Sequence, residues 1–204
     1  GLRRVVLRGL DVAARGAWHL WRNRHYLSAA KLLNMAVVNL EMRLGRERLA
    51  GRPYVFKIEP TNLCNTTCRL CPTGLGFAGR PRGKMTLAQF QRIIDRIKSF
   101  AYAVDLSNWG DPLIVPDIYA MVSYAHLAGM WTYLSSNLHA FRPDRGDAEA
   151  MVRSGLDMLN CSLHGVSQAA YAAYQPGKQI GPILDRIRAL VDTKRRLGSF
   201  SPVI

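Results

Sequence analysis

The stretch YVFKIEPTNLCNTTCRLC, residues 54–71, joins a β-rich run to three cysteines with the spacing C-x3-C-x2-C. The apolar, aromatic run that ends near Pro60 predicts a short strand followed by a loop. Cys64, Cys68 and Cys71 therefore directly follow a strand. Because thiols crowded in this way serve as metal ligands or redox groups, this stretch points to both a fold and a candidate site.

Downstream of these cysteines, strand-like runs alternate with helix-like runs. Short apolar runs that end in turn residues predict strands, and apolar residues three or four apart predict helices. The predicted strands lie within 54–62, 103–112, 130–137 and 157–165, and the predicted helices are 86–100, 116–129, 145–155 and 182–198. This alternation predicts an α/β fold of right-handed parallel βα units in a sheet or barrel.

The number of predicted units is small for a closed parallel barrel. Residues 201–204, SPVI, look like the start of a fifth strand, and Gly1 stands where a starting methionine is expected. A strand that stops after a few residues leaves a sheet edge uncovered. We therefore expect a fragment that is truncated after four βα units.

The first 52 residues differ from the rest of the chain in charge. They contain eleven lysine and arginine residues against three acidic residues, with apolar residues at roughly helical spacing. This composition predicts a helical extension, residues 1–52, of one or two basic amphipathic helices before a core domain, residues 53–204. Three roles stay open: a prefix packed on the core with solvated arginines, docking on an anionic membrane surface, and nucleic-acid binding.

Composition limits the class of protein. The chain has 204 residues, of which 49% are apolar and 21% charged, which suits one sizeable globular core. Four cysteines are too few for a secreted disulfide framework, so a reducing cytoplasm is expected. The longest charge-free apolar run, Leu32 to Leu40, is about half the length of a membrane-spanning helix. Membrane contact is therefore expected to be peripheral, and no specific nucleic-acid motif is present.

Polar residues follow each predicted strand. Gly110 and Asp111 follow the second, Ser136 and Asn137 the third, and Ser162 the fourth. Ligands of parallel α/β folds bind at the carboxyl ends of the strands. These residues and the cysteines are therefore predicted to share one site.

The cysteine motif by itself allows three chemistries. A structural zinc needs a fourth ligand, for which Cys161 or His139 are the candidates, and a redox pair needs only two thiols. An iron–sulfur cluster held by three thiolates leaves one iron open for chemistry. Cys161 alternates with Ser162 along a strand, so the two point to opposite faces, and Cys161 is predicted to be a buried, inert thiol.

The motifs taken together resemble the radical S-adenosylmethionine (radical SAM) superfamily. CNTTCRLC is similar to its cluster motif, NWGDP to its Gly-Gly-Glu-Pro motif, and NCSLHGVSQAAYAAYQPGK to the stretch after its fourth strand. The resemblance covers residues 53–204 and implies a partial (β/α)6 TIM-like barrel with a [4Fe–4S] cluster and SAM. It is greatest to the N-terminal part of enzymes of the SPASM-like branch, which often continue into a second cysteine-rich domain.

The resemblance also implies roles for single residues. Cys64, Cys68 and Cys71 would bind three irons, and SAM would chelate the fourth. The implied SAM contacts are Leu70 with the adenine, Gly110 and Asp111 with the amino group, and Ser136, Asn137 and Ser162 with the ribose and carboxylate.

The implied function is reductive cleavage of SAM to a 5′-deoxyadenosyl radical that abstracts hydrogen from an unidentified small-molecule or peptide substrate. A flavodoxin- or ferredoxin-type protein would supply the electron. Trp109, Asp111, His164 and Gln175 depart from the family pattern, Gln175 standing where many members have an arginine. The alternative is a non-catalytic degenerate barrel with a structural metal centre, acting as a binding module at a membrane or partner.

Overall fold

Four parallel strands form an open sheet at the centre of the computed structural model, which describes residues 23–76 and 79–204. The strands are β1 (Val55–Lys57), β2 (Ala103–Asp105), β3 (Trp131–Ser136) and β4 (Met158–Cys161). They pair in chain order, with Val104 opposite Phe56 and Thr132, and with Leu134 opposite Leu159. The expected parallel α/β fold is confirmed.

Six α-helices precede, separate and follow the strands in the described residues. They are α1 (Ala29–Arg43), α2 (Leu87–Ile97), α3 (Ile118–Leu127), α4 (Asp147–Arg153), α5 (Gln168–Tyr174) and α6 (Gly181–Arg196). Helix α2 begins where the sequence predicts, because Thr86 and Gln89 form a capping box. Helix α5 was not predicted from the sequence, although Ser167 caps it by accepting a hydrogen bond from the amide of Ala170.

The core lies between the sheet and the helices that cover it. Phe90 and Ile94 of α2, together with Val104, Leu134 and Leu159 from three strands, are almost fully buried in one cluster. Each such side chain contributes about 1.5–3 kcal/mol by leaving water. This cluster fixes the strands beneath the helices and so fixes where their carboxyl ends meet.

An isolated parallel bridge lies beside β4 near the end of the chain. Val203 forms a parallel bridge with Met158, and the amide of Leu159 donates to the carbonyl of Val203 at 2.8 Å. A fifth strand at residues 201–204 stays a prediction, because the structure has one bridge residue there and no strand.

The N-terminal helix α1 is oriented differently from what its amphipathic pattern suggests. Its buried side chains are Lys31 and Glu41, whereas Leu33 and Leu40 are exposed. Lys31 Nζ donates to the carbonyl of Gly129 at 2.6 Å, and Glu41 accepts from the amides of the loop that follows the helix. Specific polar contacts thus decide which face of α1 meets the core.

Part of the predicted basic extension, residues 1–22, lies outside the described residues. Within the described parts of the chain, no helix combines the length and the apolar character needed to span a membrane. The boundary between residues 52 and 53 stays a prediction.

Candidate cofactor site

The three cysteines lie on the loop after β1, and hydrogen bonds hold this loop at both sides. Thr61 Oγ1 donates to the carbonyl of Gly83 at 2.8 Å. Gly83 belongs to the return segment, the part of the chain that leads from the cysteine loop back to α2, so this bond ties the two ends of the loop together. The amide of Arg69 donates to the carbonyl of Tyr174 at 3.2 Å, at the end of α5. The cysteine loop is therefore positioned by β1 and by α5.

The side-chain hydroxyl of Thr66 contacts two of the three thiols. Thr66 Oγ1 lies 3.2 Å from Sγ of Cys64 and 3.5 Å from Sγ of Cys68. Burial raises the pKa of the Cys64 thiol, and hydrogen bonds from Thr66 oppose that shift. Within residues 23–76 and 79–204, no three His, Cys, Asp or Glu side chains are arranged as ligands of a metal ion. The role of Cys64, Cys68 and Cys71 as cluster ligands stays a prediction.

Gly110 contacts the base of the cysteine loop so closely that no side chain fits. A Cβ atom on Gly110 would lie 2.0 Å from the carbonyl oxygen of Thr61 and 2.7 Å from that of Leu63. The amide of the next residue, Asp111, donates to the carbonyl of Leu63 at 2.9 Å. The glycine after β2 therefore allows the two loops to dock.

The Asp111 carboxylate, which is 3% exposed, joins the end of β2 to the end of β3. It accepts hydrogen bonds from the Ser136 hydroxyl and from the amides of Leu113 and Asn137, each at 2.9 Å. Burial raises the pKa of Asp111, and these hydrogen bonds lower it. A carboxylate has about four acceptor positions, so these donors leave about one position for a donor from the cavity.

Asn137 connects the end of β3 to the cysteine loop. Its Nδ2 donates to Oδ1 of Asn65 at 2.8 Å and lies 3.6 Å from Sγ of Cys64. Its Oδ1 accepts from the amide of His139 at 2.8 Å. Asn137 therefore holds the first cysteine in place, and its expected contact with a ribose or carboxylate stays a prediction.

At the end of β4, Ser162 lines the site and the adjacent Cys161 does not. Ser162 Oγ lies 3.1 Å from Oγ of Ser135 on β3. Cys161 packs against the helix-side core, and burial raises its pKa to about 11. The two residues thus face opposite sides, as their alternation predicts, although Cys161 is half-buried and not fully buried as expected.

Helix α5 contributes an unpartnered amide group to the site. His139 Nε2 lies 3.0 Å from Oη of Tyr171 and 3.2 Å from Oε1 of Gln175. Burial lowers the pKa of His139, and the contact with Gln175 partly opposes this shift. Gln175 is 1% exposed, and its Nε2 has no hydrogen-bond partner among the described residues. This nitrogen is a buried donor that a ligand can satisfy.

These side chains enclose a cavity of about 140 Å³ at the carboxyl ends of the strands. It is lined by all three predicted cysteine ligands and by most of the predicted SAM contacts: Cys64, Cys68, Cys71, Gly110, Asp111, Ser136, Asn137 and Ser162. Leu70 does not line it and is 78% exposed. The structure therefore brings together every predicted site residue except Leu70, whose contact with adenine stays a prediction.

A larger groove of about 590 Å³ lies between the return segment of the cysteine loop and α2. Lys84, Arg92 and Arg96 line it, but none of the cysteines does. The smaller cavity is the candidate site because residues from the ends of all four strands converge there, whereas the groove contains no such convergence.

Sequence reasoning missed two contributors to the site. His139 was considered as a fourth zinc ligand, whereas in the structure its Nε2 lies 3.2 Å from Oε1 of Gln175 and orients that amide. Tyr174 was not singled out, yet it lines the cavity and its ring lies 4.3 Å from that of His164. The Ser167 cap was the sequence signal that could have revealed α5 and these side chains.

Comparison with known proteins establishes the superfamily. Residues 58–203 match the Radical SAM superfamily, which is well over half of the chain. The chain therefore belongs to the radical SAM superfamily, as its motifs predict.

Curated relatives are longer than this chain. An AdoMet-dependent heme synthase of Methanosarcina barkeri is 25% identical over 119 residues, which cover 58% of this chain and 33% of the relative. A PqqA peptide cyclase of Ruegeria pomeroyi is 27% identical over 121 residues, which cover 59% of this chain and 32% of the relative. The chain spans about a third of the length of the curated relatives it matches.

Solved structures support the fold. SuiB of Streptococcus suis, bound to S-adenosylmethionine, matches with a TM-score of 0.61 at 16% identity, over 78% of this chain and 35% of that chain. Methylornithine synthase matches with a TM-score of 0.54 at 14% identity, over 84% of this chain and 51% of that chain. The open four-stranded parallel sheet thus matches part of the TIM-barrel-like fold of these neighbours.

Proposed function

We propose that this chain binds a [4Fe–4S] cluster through Cys64, Cys68 and Cys71 and that it cleaves SAM reductively. When bound, the cluster supplies the electron that splits SAM into methionine and a 5′-deoxyadenosyl radical, which removes a hydrogen atom from the substrate. The observation that carries the proposal is the meeting of three thiols with the polar ends of β2, β3 and β4 in one cavity of a radical SAM chain.

The donor set suits the proposed cluster. Thiolates are soft ligands that favour iron–sulfur clusters, and the loop presents three of them without a fourth protein thiol in the cavity lining. Thr66 is 6% exposed and contacts the thiols of Cys64 and Cys68, so the loop already holds these two side chains on one side. Asn137 restrains the same loop from β3. These contacts would hold and orient the ligands and keep water from the first cysteine.

The cavity also offers complementary groups for the amino-acid end of SAM. The remaining acceptor position of Asp111 suits an ammonium group, and the unpartnered Gln175 Nε2 suits a carboxylate. A buried donor without a partner costs about 1–3 kcal/mol, and a bound carboxylate would remove that penalty. Gln175 provides no positive charge, so it would bind the carboxylate more weakly than an arginine.

The cavity is too small to enclose the whole of SAM. Ligand pockets commonly measure about 300–1,000 Å³, whereas this cavity measures about 140 Å³. We assign the enclosed part to the methionyl end of SAM, near Asp111 and Gln175. The adenosine would then lie towards the mouth, where Leu70 and Trp109 are exposed, and Ser162 would contact the ribose.

The partners belong to the same proposal. The names of the relatives include a heme synthase and a peptide cyclase, so the proposed substrate is a small molecule or a peptide. A flavodoxin- or ferredoxin-type protein would supply the electron. The proposed location is the cytoplasm, where thiols stay reduced and available for iron.

Anaerobic reconstitution of the complete protein tests the proposal. We expect iron and sulfide in a ratio typical of a [4Fe–4S] cluster, a reduced-state EPR spectrum that changes when SAM is added, and formation of 5′-deoxyadenosine. Alanine substitution of Cys64, Cys68 or Cys71 should abolish all of these signals. Cys161→Ala is the matched control and should keep them, because Cys161 packs against the core and does not line the cavity.

Two results would contradict the proposal. A bound zinc ion and no iron would favour the structural metal centre of the alternative interpretation. An EPR spectrum that ignores SAM, with no 5′-deoxyadenosine formed, would show that a cluster is present without the proposed chemistry.

A further inference from the structure

The outer face of α1 exposes a row of apolar side chains. Leu32, Leu33, Ala36 and Leu40 recur at helical spacing, and the three leucines are 48%, 67% and 57% exposed. The opposite face of the same helix is the buried one. Among residues 23–76 and 79–204, no contact with the core explains the leucines of this outer face of α1.

Exposed apolar side chains also occur in the last turn of α1 and in the loop that follows it. Met42, Leu44 and Leu49 are 70%, 59% and 60% exposed. Proteins rarely leave a large contiguous apolar patch in water unless it meets a partner or a membrane. The helix and its following loop together therefore form a candidate contact surface.

Positive charge surrounds this apolar surface. Arg43, Arg46 and Arg48 are exposed, and none of them forms an ion pair within the described part of the chain. Glu41 is buried, with 4% of its surface exposed, and its carboxylate oxygens accept hydrogen bonds from the amides of Ala50 and Gly51. Glu47, between Arg46 and Arg48, is the one exposed carboxylate of residues 43–48, so the three arginines outnumber it and the outer surface stays cationic.

The position of α1 in the fold separates this surface from the cofactor site. Lys31 Nζ binds the carbonyl of Gly129, just before β3, and Asn34 Nδ2 binds the carbonyl of Phe100, just before β2, at 3.4 Å. Helix α1 therefore packs at the amino ends of the strands. The cysteines lie at the carboxyl ends, so a partner on α1 would leave the cavity accessible.

We propose that the outer face of α1 docks on an anionic lipid surface. Interfacial helices combine inserted leucines with arginines that contact anionic headgroups, and each such basic residue contributes about 1 kcal/mol. A second copy of this chain would bring the same arginines against one another, and like charges oppose that pairing. Residues 1–22 carry five arginines against one aspartate, so they are an equally poor electrostatic match for this surface.

Vesicle flotation of the complete chain tests this proposal. We expect binding to vesicles of phosphatidylcholine mixed with phosphatidylglycerol, little binding to phosphatidylcholine alone, and weaker binding at high salt, since salt screens the attraction. Leu33→Glu should lower the partition coefficient on anionic vesicles roughly ten-fold or more, because it removes an inserted side chain and adds repulsion. Leu40→Glu should do the same.

Val166→Glu is the matched control. Val166 is fully exposed in the loop after β4, at the other end of the strands, and its substitution should leave vesicle binding unchanged. All three variants change exposed positions, so their thermal transitions should stay close to that of the wild type. Equal binding by Leu33→Glu, Leu40→Glu and Val166→Glu would overturn the proposal, and so would equal binding to neutral and anionic vesicles. A dimer that Leu33→Glu converts to monomer, without any vesicle binding, would assign the surface to a second copy instead.

Discussion

The two ends of the sheet use buried polar groups in opposite ways. At the amino ends, Tyr26 Oη donates to Oδ1 of Asp157 at 2.7 Å, and Oδ2 of Asp157 accepts from the amide and hydroxyl of Thr132. At the carboxyl ends, Gln175 Nε2 has no partner, and Asp111 retains an acceptor position. The buried polar groups named at the amino ends thus hydrogen-bond to one another, whereas groups at the carboxyl ends keep a donor and an acceptor that a ligand can use.

This difference separates buried groups whose hydrogen bonds are complete from buried groups that keep a free donor or acceptor. A buried polar group whose bonds are all made within the protein rigidifies the fold, and removing one partner leaves the others unsatisfied. A buried group left without a partner weakens the fold slightly until a ligand supplies the missing bond. Substitutions at the two ends should therefore affect different measurements.

The largest effect is expected for Gly110→Ala, which pushes the two loops of the carboxyl end apart. The new Cβ would lie 2.0 Å from a backbone oxygen that cannot rotate away. We expect a loss of about 3 kcal/mol or more in the free energy of unfolding and loss of reconstituted iron. Thermal denaturation and iron analysis measure both effects. Gly83→Ala is the control, since a Cβ there meets no atom within 4 Å, and equal behaviour of the two variants would contradict the close-contact argument.

The next effect is expected for Asp157→Ala at the amino ends. It leaves the Thr132 amide buried without its acceptor and leaves the Tyr26 hydroxyl with His126 Nδ1 as its remaining partner, which should lower the free energy of unfolding by about 2 kcal/mol. Iron content per folded molecule should not change. Asp185→Ala is the control, because the Asp185 side chain is 73% exposed and its ion pair with Arg188 is worth little. Loss of iron without loss of stability in Asp157→Ala would show that the two ends are not separate in function.

A smaller effect, on binding only, is expected for Gln175→Met. This variant removes an unpartnered buried donor together with the oxygen that contacts His139, and His139 keeps its contact with Tyr171, so the thermal transition without SAM should change little. The affinity of the reconstituted protein for SAM should fall about ten-fold, which equilibrium binding can measure. Gln175→Glu should bind still more weakly, because its charge repels a carboxylate. Wild-type affinity in both variants would remove Gln175 from the proposed SAM contacts.

The smallest effect is a pH dependence of stability at the carboxyl ends. Burial lowers the pKa of His139 in the folded protein below its value of about 6.5 in the unfolded chain. The unfolded state therefore binds protons first as the pH falls. The contribution of His139 to the free energy of unfolding should be greatest above about pH 6.5. It should decline as the pH falls towards the lowered pKa and stay constant below that pKa.

Thermal transitions measured across this pH range, for the wild type and for His139→Asn, test the assignment. The variant should show a weaker decline. Some decline should remain, because burial also lowers the pKa of His164. An unchanged pH profile in His139→Asn would show that other groups account for it.

Local patterns were enough to predict much of this protein. The strand and helix runs and the crowding of three cysteines after a strand depend on spacing within about 20 residues, which the sequence displays directly. The position of the site followed as well, because parallel strands must place their carboxyl ends at one edge. Helix α5 was missed because its seven residues are mostly alanine and show no clear apolar period, whereas the equally short α4 is followed by the helix-ending Gly155.

The tertiary structure decided which of those residues are already bonded and which are open. The sequence alone identified Asp111 and Asn137 as site residues, but only the packing of β2 against β3 showed that Asp111 joins the strand ends and that Asn137 restrains the cysteine loop. Only the fold placed the Gln175 amide without a partner beside the cysteines, and only the contacts of Lys31 and Glu41 turned the leucines of α1 outward. The physical reason is range: periodicity and motif spacing are local, whereas hydrogen-bond saturation and burial depend on groups that lie far apart in the chain.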